Sequence, residues 1–129
     1  MAAPTVLYIE DAVVSIHLIR GILKRAKLKD DSAPVRLISA MQGSLGLEMA
    51  RARRPDLILL DLHLPDMPGD EVLAHLRAEP ETRAIPVIII SADANPRQIE
   101  RLKQAGATEY LTKPLDVKRL LEVLEGVVG

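Results

Sequence analysis

An open, mostly parallel α/β sheet with helices on both faces is the fold this 129-residue sequence predicts. Three observations point there. Leu57-Ile58-Leu59-Leu60 and Val87-Ile88-Ile89-Ile90 are unbroken apolar runs, the pattern of parallel strands covered on both faces. Short apolar runs alternate with longer amphipathic stretches along the whole chain, five of each. No low-complexity tract, internal repeat or Ser/Gly linker interrupts that alternation, so residues 1–129 read as one domain.

The elements follow in order. Val6-Leu7-Tyr8-Ile9 is the first strand, leading into a helix in which Ile16, Ile19, Leu23 and Ala26 recur at helical spacing. Residues 27–34 are polar and read as a loop. Residues 35–40 read as the second strand and 45–53 as a short helix. After the third strand at 57–60, Val72, Leu73 and Leu76 line one face of a third helix. The fourth strand is 87–90. The fourth helix opens with Asn95 as cap, Pro96 at its first position and Gln98 three residues past the cap, and it stops near Gly106. Glu109-Tyr110-Leu111 forms the last strand. Val117, Leu120, Leu121 and Leu124 share a face of the last helix.

Composition narrows the function classes. The chain is 48% hydrophobic and 27% charged, ordinary for a globular protein, and its length buries roughly two thirds of the unfolded surface. Without Trp or Phe and with two Tyr, aliphatic residues fill the core. Seventeen basic against eighteen acidic residues give a net charge of −1, which argues against direct nucleic-acid binding. Zero cysteines exclude disulfides, zinc–thiolate sites and a Cys nucleophile. No apolar run is long enough to cross a bilayer, and the first residues lack a signal-peptide pattern, so the cytoplasm is the expected location.

In such sheets the ligand site lies beyond the carboxyl ends of the strands. Glu10 and Asp11 follow the first strand, Asp61 the third, Ser91 the fourth and Lys113-Pro114 the fifth. Two carboxylates about 4 Å apart repel by roughly 4 kcal/mol at an effective dielectric near 20, so a hard divalent cation such as Mg²⁺ is the natural counterweight. Lys113 supplies a point charge suited to a phosphoryl oxygen and Ser91 a hydroxyl donor to another. Asp61, held behind four apolar residues, suits a nucleophile toward phosphorus. Taken singly, each residue has an ordinary reading as a cap, a turn or a solvated loop. Their joint order along the chain carries the inference. Without metal, the three carboxylates should strain the fold, so Asp61→Asn should raise the melting temperature in chelator. His17 and His75 fall on helices as surface or boundary residues.

From residue 6 to 124 the chain resembles the receiver domain of two-component response regulators. The resemblance rests on Leu7-Tyr8-Ile9-Glu10-Asp11, on residues 59–69 (LLDLHLPDMPG), on Ile90-Ser91-Ala92 and on Tyr110-Leu111-Thr112-Lys113-Pro114. Spacings of 30 residues from Asp61 to Ser91 and 22 from Ser91 to Lys113 agree with it. It implies a flavodoxin-like (βα)5 fold with strand order 2-1-3-4-5, and phosphoryl transfer from a sensor histidine kinase or phosphotransfer protein onto Asp61. It also implies Mg²⁺ held by Asp11, Asp61 and the His63 carbonyl, with Glu10 acting through water. Lys113 would bind the phosphoryl group, and the Lys113–Pro114 bond would be cis. Ser91 would move toward the phosphoryl group and Tyr110 would change rotamer, switching the face of helix four, strand five and helix five. Such a domain catalyses only its own phosphorylation and dephosphorylation.

Ala12 departs from the polar residue common after the acidic pair. His63 and Asp93 occupy positions that tune phosphoryl lifetime in the family. Residues 61–69 and 91–94 are most similar to receivers at the end of hybrid sensor kinases. Two rivals remain: a receiver-like binding module that is not phosphorylated, and a small phosphatase with an aspartyl intermediate, which typically needs an acid where His63 stands. The sequence leaves the cognate kinase, the output partner and the oligomeric state open, a homodimer included.

Overall fold

Ten elements alternate along the computed structural model, which describes residues 4–25 and 35–127: β1 Thr5–Ile9, α1 Val13–Leu23, β2 Arg36–Ala40, α2 Gly43–Arg53, β3 Leu57–Leu60, α3 Gly69–Ala78, β4 Val87–Ser91, α4 Pro96–Gln104, β5 Glu109–Thr112 and α5 Val117–Val127. The five strands form one sheet in the order β2-β1-β3-β4-β5, and every pairing is parallel. The expected fold and strand order hold. Ala26 and the loop expected over 27–34 lie outside the described residues.

The unbroken apolar runs are buried on both sides of the sheet. Leu57 and Leu59 face a cluster with Ile16, Ile19, Leu120 and Leu124, under α1 and α5. Ile58 and Leu60 face the other cluster, with Leu47, Val72, Leu76 and Leu102 under α2, α3 and α4. Each fully buried Leu or Ile of this kind contributes roughly 2 kcal/mol of transfer free energy. On α5 the buried residues are Leu120, Val123 and Leu124. Val117 and Leu121, expected on that face, pack half-buried against the same cluster, and Val123 joins it fully.

Element ends differ from expectation by small steps with identifiable causes. β4 runs through Ser91 and β5 through Thr112, since Ser91 pairs with Thr112 and its carbonyl accepts the Lys113 N–H at 2.8 Å. α2 begins at Gly43 because Asp66, from the loop after β3, accepts the N–H groups of Gly43 (2.7 Å) and Ser44 (2.9 Å). α1 starts from Ala12 without a side-chain cap, as its apolar side chain dictates. On α4, Asn95 caps as expected, accepting the Arg97 N–H at 2.9 Å. Gln98 does not close a capping box. The Asn95 N–H that it would satisfy already donates to Asp93 Oδ1 at 2.9 Å, and the Gln98 amide donates to Asp93 Oδ2 at 2.8 Å.

Candidate functional site

The chain order reverses at β1, with β2 on one side and β3 on the other, which opens a crevice beyond their carboxyl ends. Register then decides which residues meet there. Ile9 pairs with Leu60, and the Asp61 N–H donates to the Ile9 carbonyl at 3.1 Å, so Glu10 and Asp61 lie side by side. One carboxylate oxygen from each of Glu10, Asp11 and Asp61 falls within 4.8 Å of the others. Glu10 is fully buried, Asp61 is 6% exposed, and Asp11 faces solvent.

Lys113 reaches across from the end of β5. Its Nζ lies 3.0 Å from Glu10 Oε1 and 3.3 Å from Asp61 Oδ2. The backbone N–H of His63 donates to Asp61 Oδ1 at 3.0 Å, so both Asp61 oxygens are oriented. Glu10 Oε2 is buried with no hydrogen-bond partner among the described residues. Glu10 and Asp61 share a hydrogen bond only when one of them carries a proton. The Lys113–Pro114 bond is cis.

Charge in this crevice is unevenly placed. Burial, and then the adjacent Asp61, push the Glu10 carboxyl up to about 7 against the pull of Lys113. Burial would raise Asp61 as well, but the Glu10 proton, the His63 N–H and Lys113 outweigh it and hold Asp61 below its ordinary value. Burial would lower Lys113, and the two carboxylates outweigh that and raise it. Of the carboxylates expected to strain the metal-free fold, Glu10 is the one whose charge its surroundings disfavour. Asp61 is already balanced by Lys113 and His63.

Ser91 is fully buried at the end of β4, and its Oγ accepts the Asp93 N–H at 3.1 Å. Tyr110 points inward, 8% exposed, with its hydroxyl donating to the Asp93 carbonyl at 2.6 Å. His17 and His75 are exposed, as anticipated. The His63 side chain is exposed as well, beside a cavity lined by Leu62, Pro68, Asp70, Gln98 and Arg101.

Two contributors escaped the sequence reading, and a third, Asp93, entered it only as a position that tunes phosphoryl lifetime. Gly69 lets α3 start against the Asp61–Leu62 peptide: a Cβ there would overlap the Asp61 carbonyl oxygen and stand 2.6 Å from Leu62 Cα. Asp66 ties the loop after Asp61 to α2, and the Ser44 and Gly43 N–H groups hold its carboxyl down at about 2. Asp93 joins Ser91 to Tyr110. The glycine after Pro68 was the available signal for a close backbone approach. For Asp66 and Asp93, whose partners are set by tertiary structure or by backbone turns, composition offered none.

The profile of the response regulator receiver domain matches residues 6–125. The chain belongs to the response regulator receiver family. It is 34% identical over 125 residues to the polar-differentiation response regulator DivK of Brucella anthropi, covering 97% of this chain and 96% of DivK. Among solved structures, it resembles the receiver domain of the sensor histidine kinase PA1611 from Pseudomonas aeruginosa, with a magnesium ion in the active-site cleft. That likeness has a TM-score of 0.83 and 28% identity, over 98% of each chain. The phosphorylated cyanobacterial phytochrome response regulator RcpA matches with a TM-score of 0.77 and 29% identity, over 98% of this chain and 91% of RcpA. Membership of the receiver family supports, in general terms, a phosphoacceptor role in two-component signalling. Receiver domains bind Mg²⁺ or Mn²⁺ at an acidic site, and the cluster of Glu10, Asp11 and Asp61 supplies such a donor set. Receivers take their phosphoryl groups from histidine kinases or phosphotransfer proteins. No described helix is long and apolar enough to cross a membrane.

Proposed function

We propose that this chain is a single receiver domain over residues 1–129, working in the cytoplasm, that accepts a phosphoryl group on Asp61 from the phosphohistidine of a sensor kinase or phosphotransfer protein. The observation that carries this is the imbalance of charge at the crevice. Three carboxylates converge where Lys113 is the cation bridging two of them, and a buried Glu10 oxygen is left without a partner. A hard cation with oxygen ligands fits that donor set. Asp11, Asp61 and the His63 carbonyl would hold Mg²⁺, with Glu10 reached through water. Bound there, Mg²⁺ neutralises charge on the transferring group and on the carboxylates.

The protein's own groups do the rest. The His63 N–H and Lys113 aim the Asp61 carboxylate, and its depressed pKa keeps it ionised as a nucleophile. An Asp61 oxygen forms the new P–O bond as the P–N bond to the donor imidazole breaks, and the nitrogen keeps the electron pair. Lys113 meets a phosphoryl oxygen, and Ser91 turns its hydroxyl toward another. Tyr110 then changes rotamer, altering the face of α4, β5 and α5. A groove lined by Tyr110, Leu111, Pro114, Leu115, Asp116 and Arg119 already lies along β5 and the start of α5.

A protein donor also fits the rim. The exposed large apolar residues Val13, Val14, Leu18, Met41 and Leu45 sit on α1 and on the stretch from the end of β2 into α2, just after the carboxyl ends of β1 and β2. The chain's turnover is of its own phosphoryl group alone. The rival phosphatase reading lacks its second acid, since His63 stands there with an exposed ring. Incubation with acetyl phosphate and Mg²⁺, borohydride reduction and peptide mapping test the assignment. Homoserine at position 61 is the expected product. Reduction at another carboxylate overturns the assignment to Asp61, and no reduction overturns it in favour of the unphosphorylated module.

A further inference from the structure

Among the described residues, two buried side-chain polar atoms lack a hydrogen-bond partner, and both belong to β1 and the residue that follows it. Glu10 Oε2 is part of the crevice already described. The other is the Tyr8 hydroxyl. Its side chain is wholly buried in the cluster under α1 and α5. A phenolic hydroxyl left without a partner in such surroundings is disfavoured, so its neighbourhood calls for an explanation.

Tyr8 lies at the floor of a cavity of about 200 Å³, lined also by Ser15, Leu18, Lys113, Pro114 and Leu115. The cavity sits between α1 and the turn that joins β5 to α5. None of Glu10, Asp11 and Asp61 lines it. Leu18, 52% exposed, stands at the rim, and Ser15 is half-buried one turn earlier on the same helix.

The lining sets the chemistry of an occupant. Leu18, Pro114 and Leu115 give apolar walls that suit a hydrocarbon body. Tyr8 and Ser15 offer hydroxyls, each able to donate and to accept. The charge of Lys113 is already engaged, with Nζ 3.0 Å from Glu10 Oε1 and 3.3 Å from Asp61 Oδ2. An anionic occupant would feel those two carboxylates and a cationic one would meet Lys113, so a neutral molecule fits best. A dry cavity of roughly 150 Å³ accepts benzene, so there is room here for one ring and a polar substituent.

We propose that this cavity is a binding site for a small neutral ring compound carrying one hydroxyl, seated on the Tyr8 hydroxyl between α1 and the β5–α5 turn. The ring lies against Leu18, Pro114 and Leu115. Its hydroxyl exchanges a hydrogen bond with Tyr8, and Ser15 is the second polar contact. The site needs neither Mg²⁺ nor a phosphoryl donor, so it stands or falls apart from the phosphoacceptor reading.

Phenol is the probe, added in chelator to protein labelled on its tyrosine rings and backbone amides. With two Tyr and no Phe or Trp, the ring signals of Tyr8 and Tyr110 are the aromatic ones besides His. The Tyr8 ring and the Ser15 and Leu115 amides should shift saturably, with a dissociation constant on the order of 1 mM. Tyr110, which lines the separate groove along β5, should not move. Benzene should bind about fivefold more weakly than phenol, and benzoate should not bind. Read from the amides, Tyr8→Phe should weaken phenol about fivefold and leave benzene unchanged, erasing the preference. Ser15→Leu fills the cavity and should abolish binding of both. A Tyr8 ring that stays still in about 20 mM phenol, or shifts without saturating, overturns the proposal. Equal affinity for phenol and benzene in wild type does so too, since it leaves the hydroxyl to an ordered water. If Tyr8→Phe does not fold, phenol binding that survives in Ser15→Leu overturns the proposal instead.

Discussion

The two edges of the sheet treat buried polar groups in opposite ways. At the amino edge they are matched to partners. Arg77 donates to the carbonyls of Gly106 (3.0 Å), Ile85 (2.8 Å) and Arg83 (3.2 Å), joining the end of α3 to the approaches of β4 and β5. Buried Thr82 donates to the Leu76 carbonyl at 2.7 Å, and Asp56 accepts the Thr5 N–H at 2.7 Å. At the carboxyl edge, Glu10 is buried with one oxygen unpartnered, beside a second carboxylate and within reach of a third. Buried polar groups are normally satisfied, so an exception marks a place where stability yields to function. One edge serves the fold and the other keeps charge in reserve for a ligand.

The largest effect should come from joining the two concerns. Gly69→Ala drives a methyl into the Asp61 carbonyl, so it should lower stability by about 3 kcal/mol and also stop phosphorylation, measurable by denaturant melts and intact mass. Arg77→Ala should be nearly as costly to stability, about 2 kcal/mol, because it strands carbonyls that now accept from a charged donor. Its labelling by acetyl phosphate should match wild type, and loss of labelling in a folded Arg77→Ala would break the division between the edges.

Glu10 gives the third prediction, through pH. Its folded carboxyl titrates near 7 against an ordinary 4.5, so between those values the folded chain binds more protons than the unfolded one. Stability in chelator should therefore fall as pH rises from about 4.5 to about 7. Glu10→Gln should flatten that slope and raise the midpoint at pH 7.5. Asp61, held below its ordinary value, works in the opposite sense and loses its contribution only as pH falls below about 4. Hence Asp61→Asn should not bring the stabilisation that Glu10→Gln brings. A rise for Asp61→Asn alone would return the strain to Asp61. The smallest effect belongs to Arg51→Ala. Its pair with Glu79 at 2.6 Å is well shaped but lies at the surface, so the midpoint should drop by about 2 °C or less.

Much of this is legible in the sequence alone. The runs at 57–60 and 87–90 announced a sheet covered on both faces, and counting to the residue after each strand brought Glu10, Asp11, Asp61, Ser91 and Lys113 to one edge. What escaped was contact chosen by tertiary structure. Asp66 caps a helix 23 residues away in sequence, which no local rule anticipates. Gln98 sat at the right spacing for a capping box, yet Asp93 had already taken the N–H it would have served. The strain of the three carboxylates is an expectation of the sequence, with Asp61→Asn as its test. The His63 N–H on Asp61 and the partnerless Glu10 oxygen turn that expectation toward Glu10.

The most direct measurement is intact mass after incubation with acetyl phosphate, with and without Mg²⁺, on wild type, Asp61→Asn and Arg77→Ala. The account predicts a gain of one phosphoryl group that needs Mg²⁺, persists in Arg77→Ala and vanishes in Asp61→Asn. A gain that survives in Asp61→Asn, or that ignores Mg²⁺, would contradict it.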